Sequence, residues 1–191
     1  RSRPMPLSPP VEREPIHIRT VTCRGYRRSD GLWDIEGHLV DTKAYHFESR
    51  WRGTLAPGEP VHGMWLRLTV DDDLVVRGCE AAMDASPFPV CPSITHAFEA
   101  LVGLAIAPGW NAKVKQLLGG IQGCTHLVEL LGPIATTAYQ TIFPCRERER
   151  RKADPDAPPP PVEKTPINTC HALRSDGPVV KALWPEHYTG G

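Results

Sequence analysis

One stretch of this chain concentrates residue types that can move protons. Between Leu32 and Val40 the sequence reads Leu-Trp-Asp-Ile-Glu-Gly-His-Leu-Val. Read as a strand, its period of two places Asp34, Glu36 and His38 on one face, about 6.5–7 Å apart, with Trp33, Ile35 and Leu39 opposite. Two carboxylates and an imidazole in a row form an acid/base set when repulsion and partial burial separate their pKa values. The plain alternative is a solvated strand face whose charges pair with Arg19, Arg27 or Lys43. His62 lies on a segment expected to pack close by, as a second proton carrier. Arg19, Tyr26 or Arg27 would hold an anionic or phenolic substrate, the arginines by two-pronged contact. Trp65, or Trp33, would supply an aromatic wall if it is not plain core.

A second constellation is Gly123-Cys124-Thr125-His126 followed by Glu129. Here Cys124 sits at the start of an expected helix, where unsatisfied amides and the helix dipole favour a thiolate. Together with His126 it is a candidate for the substrate-binding set. Cys91, opening another helix, together with Cys124 and His126 would suit a soft metal, a single zinc or iron ion. The alternative is a small buried Cys beside a capping His. The Gly-rich 119–123 stretch lacks the Lys-Ser/Thr ending and flanking strand of a phosphate loop, so no nucleotide cofactor is expected.

The elements that must position these residues follow from periodicity. Residues 16–24 and 32–40 read as a hairpin around Asp30-Gly31, and 60–71 and 74–83 as a second hairpin through Asp71-Asp72-Asp73. Beyond residue 84 the period changes. Ile94, Ala97, Phe98, Leu101, Leu104 and Ala105 form one helical stripe. Trp110, Val114, Leu117 and Leu118 form a shorter one, stopped by Gly119-Gly120. Leu127, Leu130, Leu131, Ile134 and Ala138 mark a third, capped by Thr125 and bent at Pro133. Strands first and helices later predict an α+β fold, an antiparallel sheet from two N-terminal hairpins backed by about three helices, with a docked C-terminal tail. The expected organisation is an extended Pro-rich arm (1–15), a core domain (16–143), a charged and Pro-rich linker (144–166) and a C-terminal segment docking on the core (167–191).

Composition sets the outer limits. The 191 residues carry 22 Lys and Arg against 22 Asp and Glu, and this balance argues against a nucleic-acid or anionic-membrane surface. No apolar run approaches the roughly 20 residues of a membrane span, and residues 1–15 hold no apolar core of a secretory leader. Six dispersed cysteines, none paired at metal-finger spacing, read as reduced thiols in the cytoplasm. The expected partner is a small-molecule substrate, and a homo-oligomer stays open.

In Gly25-Tyr26-Arg27-Arg28, Asp30-Gly31-Leu32-Trp33-Asp34-Ile35-Glu36-Gly37-His38, Asp41-Thr42-Lys43, Gly123-Cys124-Thr125-His126-Leu127 and Trp184-Pro185 the chain resembles a bacterial family, domain of unknown function 2889. The resemblance covers most of residues 16–188 and implies a shared fold without a settled activity. A weaker resemblance is to U-type iron–sulfur scaffold proteins, in which Cys91 and Cys124 look like the first and last ligand positions. No Cys lies between Pro92 and Gly123, so this second resemblance implies fold and not cluster assembly. The function expected from the residues is a small-molecule catabolic enzyme with acid/base, lyase- or hydrolase-type chemistry on an aromatic or carboxylate-bearing substrate. The alternative is a metal-binding or scaffold-like module built on Cys91, Cys124 and His126.

Overall fold

In the computed structural model, residues 7–156, 158, 162 and 165–191 are described. The first six residues of the expected arm, and positions 157, 159–161, 163 and 164 of the expected linker, lie outside them. The chain divides into two compact units, Arg1–Pro144 and Cys145–Gly191.

In the first unit, alternating apolar and polar residues generate four long strands. They are β1 (His17–Arg27), β2 (Trp33–Lys43), β5 (Pro60–Val70) and β6 (Val76–Ala85), hydrogen-bonded in the order β1-β2-β5-β6 with every pair antiparallel. The two expected hairpins are therefore the two halves of the sheet. The link between them folds a small ribbon of its own from β3 (Phe47–Ser49) and β4 (Gly53–Leu55).

The helices cover one face. Trp33, Ile35 and Leu39 of β2 and Met64, Leu66 and Leu68 of β5 are buried there. So are Leu127, Leu130, Leu131, Ile134 and Ala138 of the long helix α2 (Thr125–Ala153). Each such aliphatic side chain contributes about 1.5–3 kcal/mol on burial. Before α2 come a 3-10 helix over Cys91–Leu101 and α1 (Trp110–Leu118), which buries Trp110, Val114 and Leu118. The stripe expected to continue through Leu104 and Ala105 stops at Leu101. The chain there turns extended and bonds to the start of β6: the Val76 amide donates to the Leu104 carbonyl at 2.8 Å, and Val75 bridges Ala105. Open ladder positions beside β6 outweigh the local helical period.

Two glycines let α2 lie directly on β1 and β2. A Cβ on Gly37 would stand 2.7 Å from Ile134 Cδ1, and one on Gly25 would stand 1.9 Å from Thr141 Oγ1. As β2 runs from Gly37 toward Asp41, the facing helix therefore runs back from Ile134 toward its first turn. This brings the N-terminal turn of α2 over the Asp41 end of the strand. α2 is continuous through Pro133, where a bend was expected, and through Pro144 into the stretch expected to be linker. Each proline lacks the N–H that would reach the carbonyl four residues back.

In the second unit Glu147, near the end of α2, accepts hydrogen bonds from both Arg150 and Arg151, at 2.8 Å and 2.5 Å. α3 (Pro178–Leu183) buries Val180.

Two outcomes are expected. Gly37→Ala forces a methyl against the buried Ile134 side chain and lowers stability by about 1–3 kcal/mol in urea unfolding. The Arg150 hydrogen bonds, with help from Arg151 and against partial desolvation, hold the Glu147 carboxyl down at about 2. Because the folded value is depressed, this contribution is intact above the ordinary carboxylate range and lost as pH falls toward 2. Far-UV ellipticity should drop over that window, and Glu147→Gln should remove that part of the transition.

Candidate functional site

The strand alternation that puts Asp34, Glu36 and His38 together also puts Asp41 on the opposite, covered face with Ile35 and Leu39. Across the register, Asp41 faces Arg19 on β1 and His62 on β5, so three strands contribute one row. The first turn of α2 adds His126 and Glu129 above it, and His17 stands at the start of β1.

Asp41 is the centre of this row and is 1% exposed. Arg19 grips it with a two-pronged fork: Nε donates to Oδ1 at 2.7 Å and a terminal guanidinium nitrogen to Oδ2 at 2.8 Å. A second terminal nitrogen of Arg19 donates to Glu129. Three imidazoles approach the same carboxylate. His17 Nε2 is 3.2 Å from Oδ1, while His62 Nδ1 and His126 Nε2 are 3.1 Å and 3.7 Å from Oδ2. The His62 and His126 rings stack with centroids 3.8 Å apart. On the far side of the His126 ring, Nδ1 lies 4.0 Å from Cys124 Sγ. The rim is open to solvent, since the side chains of His17, Arg19 and Glu129 are 39%, 35% and 48% exposed.

Burial alone would push the Asp41 carboxyl up. The Arg19 hydrogen bonds and charge, with smaller contributions from the neighbouring His62 and His17, outweigh it and hold the group below the usual carboxylate range. Arg19 is raised in turn, first by its hydrogen bonds to Asp41. Desolvation, then the neighbouring His126, brings His62 down to about 4 against the pull of Asp41, so its ring is neutral at pH 7. His126 is lowered by desolvation and by Arg19. A charged carboxylate thus sits beside the His62 and His126 imidazoles, whose neutral forms their surroundings favour. Although His62 Nδ1 is so near Asp41, it is buried and has no aligned hydrogen-bond partner.

The acid–acid–imidazole row lies elsewhere. Asp34, Glu36 and His38 share one face, as the alternation requires, but it is the half-exposed face away from the helices. Their chemistry is already engaged. Asp34 accepts from Thr69 and Arg28, and Glu36 accepts from Arg67, which also reaches Glu80. His38 stacks on Trp65 at 3.5 Å, and the Trp65 indole donates to Asp84. A shallow cleft on this side is lined by Glu36, Trp65, Leu66, Arg67, Glu80 and Ala82, with Arg67 tying its two carboxylates together. The trio therefore does not face a hollow under the helices, because the side the helices cover is set by Trp33, Ile35 and Leu39.

The remaining candidates separate. Arg19, His62, Cys124 and His126 converge on Asp41. Tyr26 is exposed and pairs across the sheet with Asp34, and Arg27 lies 5.4 Å over the Trp33 ring. Neither Trp33, whose indole donates to Asp72, nor Trp65 forms a wall at the Asp41 cluster. Among the described residues, the groups placed to share a metal ion are Asp41, His62 and His126. This corrects the set expected from sequence: Cys91 begins the 3-10 helix and is outside the group, and Cys124 addresses the second nitrogen of His126. Asp41 and His17 were missing from the expected site, and Glu129 entered it only as the neighbour of His126. The signal for Asp41 was available as a carboxylate at a core-face position of β2, and that for His17 as a residue two before Arg19.

Removing the charge at the centre leaves the fork of Arg19 with a weaker acceptor in a buried position. Asp41→Asn is expected to lower stability by about 1–3 kcal/mol in urea unfolding. Glu36→Gln, on the solvated face, should change it by no more than about 0.5 kcal/mol.

No helix among the described residues is long and apolar enough to cross a membrane. No curated protein and no solved structure matches the chain, and nothing supports the likeness to U-type scaffolds. Residues 17–140 match the family described as "Protein of unknown function (DUF2889)", a span that holds every residue of the Asp41 cluster and more than half of the chain. The chain belongs to that family.

Proposed function

We propose that this protein is a small-molecule enzyme performing acid/base chemistry of the lyase or hydrolase type on a carboxylate- or phenolate-bearing substrate, without a nucleotide cofactor. The observation that carries this reading is the sealed Asp41 carboxylate with the stacked His62 and His126 rings beside it. Purely structural ion pairs have no need of two adjacent imidazoles at a buried acid, whereas proton transfer needs an acceptor held in a fixed orientation. In this scheme the lone pairs of His62 and His126 form the proton-accepting end of the cluster, directly or through a bound water. Asp41 holds their orientation, and Arg19 holds Asp41.

Arg19 also offers the anchor for an anionic substrate. The edge of its guanidinium that bonds to Glu129 is at the open rim, and Glu129 is the more exposed partner. A substrate carboxylate would take that edge in two-pronged fashion as Glu129 turns outward. The six free thiols support a cytoplasmic setting. The balanced net charge favours a small-molecule partner over nucleic acid.

The test is a screen of carboxylate- and phenolate-bearing compounds for substrate loss by mass spectrometry, followed by steady-state kinetics on the hit. His62→Ala and His126→Ala are each expected to lower kcat/KM by about 10²–10⁴-fold, the usual contribution of a positioned acid or base. Glu36→Gln and His38→Ala should leave it within about twofold, since they lie on the other face. Loss of turnover in the outer-face variants, with retention in His62→Ala, would overturn the assignment.

A further inference from the structure

From the arrangement of their ligand atoms, we infer that Asp41, His62 and His126 bind one divalent transition-metal ion. The inference rests on the proposed function and deepens it: with the ion bound, the lone pairs of His62 and His126 would hold the metal, and a water on the ion would take over the proton transfer. It stands, however, on geometry of its own.

The donor set has the right chemistry. Two imidazoles and one carboxylate with coordination positions left open are the ligands of catalytic zinc and of non-haem iron(II) sites. One atom from each residue falls within 4.8 Å of the others, with Asp41 Oδ2 only 3.1 Å and 3.7 Å from His62 Nδ1 and His126 Nε2. Ligands of one tetrahedral or octahedral ion bound at about 2.0–2.2 Å stand about 3.0–3.5 Å apart. The first carboxylate–imidazole spacing falls within that range and the second lies just above it. The third, between the two imidazole nitrogens, is within 4.8 Å.

Two details separate this cluster from a hydrogen-bonded carboxylate–histidine pair. First, His62 Nδ1 is buried and stands 3.1 Å from Asp41 Oδ2, yet the two do not meet in the geometry of an aligned hydrogen bond. Second, the supporting contacts are those that ligands require. The Arg19 fork fixes the Asp41 carboxylate, and Cys124 Sγ faces the nitrogen of His126 that would not bind the ion. Such partners set tautomer and ring orientation in metal sites. Cys124 is here a positioning residue and not a ligand.

The charge balance points to what the ion would face. A divalent ion and Arg19 carry three positive charges against the two negative charges of Asp41 and Glu129, and ligating imidazoles are neutral. A residual positive charge at the rim favours an anionic ligand on an open coordination position, in line with a substrate carboxylate.

Cobalt(II) reports on such a site without any need for turnover. Metal-free protein, prepared with chelator and checked for native circular dichroism, is titrated with cobalt(II) and separately with zinc(II). The expected result is one ion per chain by elemental analysis, with visible d–d absorption in the cobalt form. His62→Ala and His126→Ala should abolish both, and His38→Ala should retain them. Cys124→Ser should weaken binding by about 10–100-fold, the usual cost of losing a group behind a ligand. Absence of stoichiometric binding by folded wild-type protein would overturn the inference, as would binding indifferent to both histidine substitutions. Turnover that persists in metal-free protein would reject the ion's part in the chemistry and leave the histidine-based reading standing. A bound stoichiometric ion, with no turnover of any compound in the screen, would reject the enzyme and leave the metal site.

Discussion

The fork between Arg19 and Asp41 is the contact on which the rest of the cluster depends. A carboxylate out of reach of water is protonated unless something compensates the lost hydration. Here two short charge-assisted hydrogen bonds from one guanidinium supply that compensation. They also fix geometry, because a planar fork accepts a planar carboxylate in one orientation. The residues sit directly opposite one another on β1 and β2. A slip of one residue between these strands would turn Asp41 toward solvent and bury a different set of side chains, so the charged row and the apolar core specify the same register.

That row joins the edge of the sheet to its centre and to the helix. β1 is an edge strand, held on one side only, and its His17 and Arg19 reach across to β2. Glu129 extends the connection upward, because its bond to Arg19 ties the start of α2 to the edge strand. The close approach at Gly25 and Gly37 sets how far the helix sinks onto the sheet. A larger residue at either position would lift α2, and His126 and Glu129 would rise with it. The site's geometry is thus a consequence of packing at Ile134 and Thr141, farther along the helix.

Much of this was legible in the chain, and the failures have physical causes. Period-two patterning located both hairpins and the inward face of β2, because burial of Trp33, Ile35 and Leu39 admits one orientation. Continued past the expected strand end at Val40, the same pattern puts Asp41 on the core face, because β2 runs on to Lys43. His126 and Glu129 stood out by their spacing at the start of a helix, and Arg19 by its type. What no single strand reveals is its neighbour: the register of β2 against β5 brought His62 to Asp41, and only pairing across the sheet shows that. Cys91 looked equivalent to Cys124 because both precede helical patterns, but a shared local motif does not bring two residues together. The β3–β4 ribbon and the extended stretch after Leu101 arise from hydrogen-bond partners that are distant in sequence or too short to show a period.

The two faces of β2 show why burial, more than residue type, separates an acid that stabilises from one that can react. Asp34 and Glu36 have arginine partners on the half-exposed face, where water and salt screen each pair and the net contribution is small. Asp41 carries the same functional group farther along the strand, but it is stripped of water and surrounded by imidazoles. In that setting a charge interacts strongly with whatever occupies the neighbouring position, whether proton, cation or substrate. Retaining such a group costs folding free energy that an apolar residue at the same core position would not, and a structural role alone gives no return for it. A carboxylate placed at the edge of an otherwise apolar row, held by one arginine and met by histidines from three different elements, is the arrangement expected where that cost is offset by function.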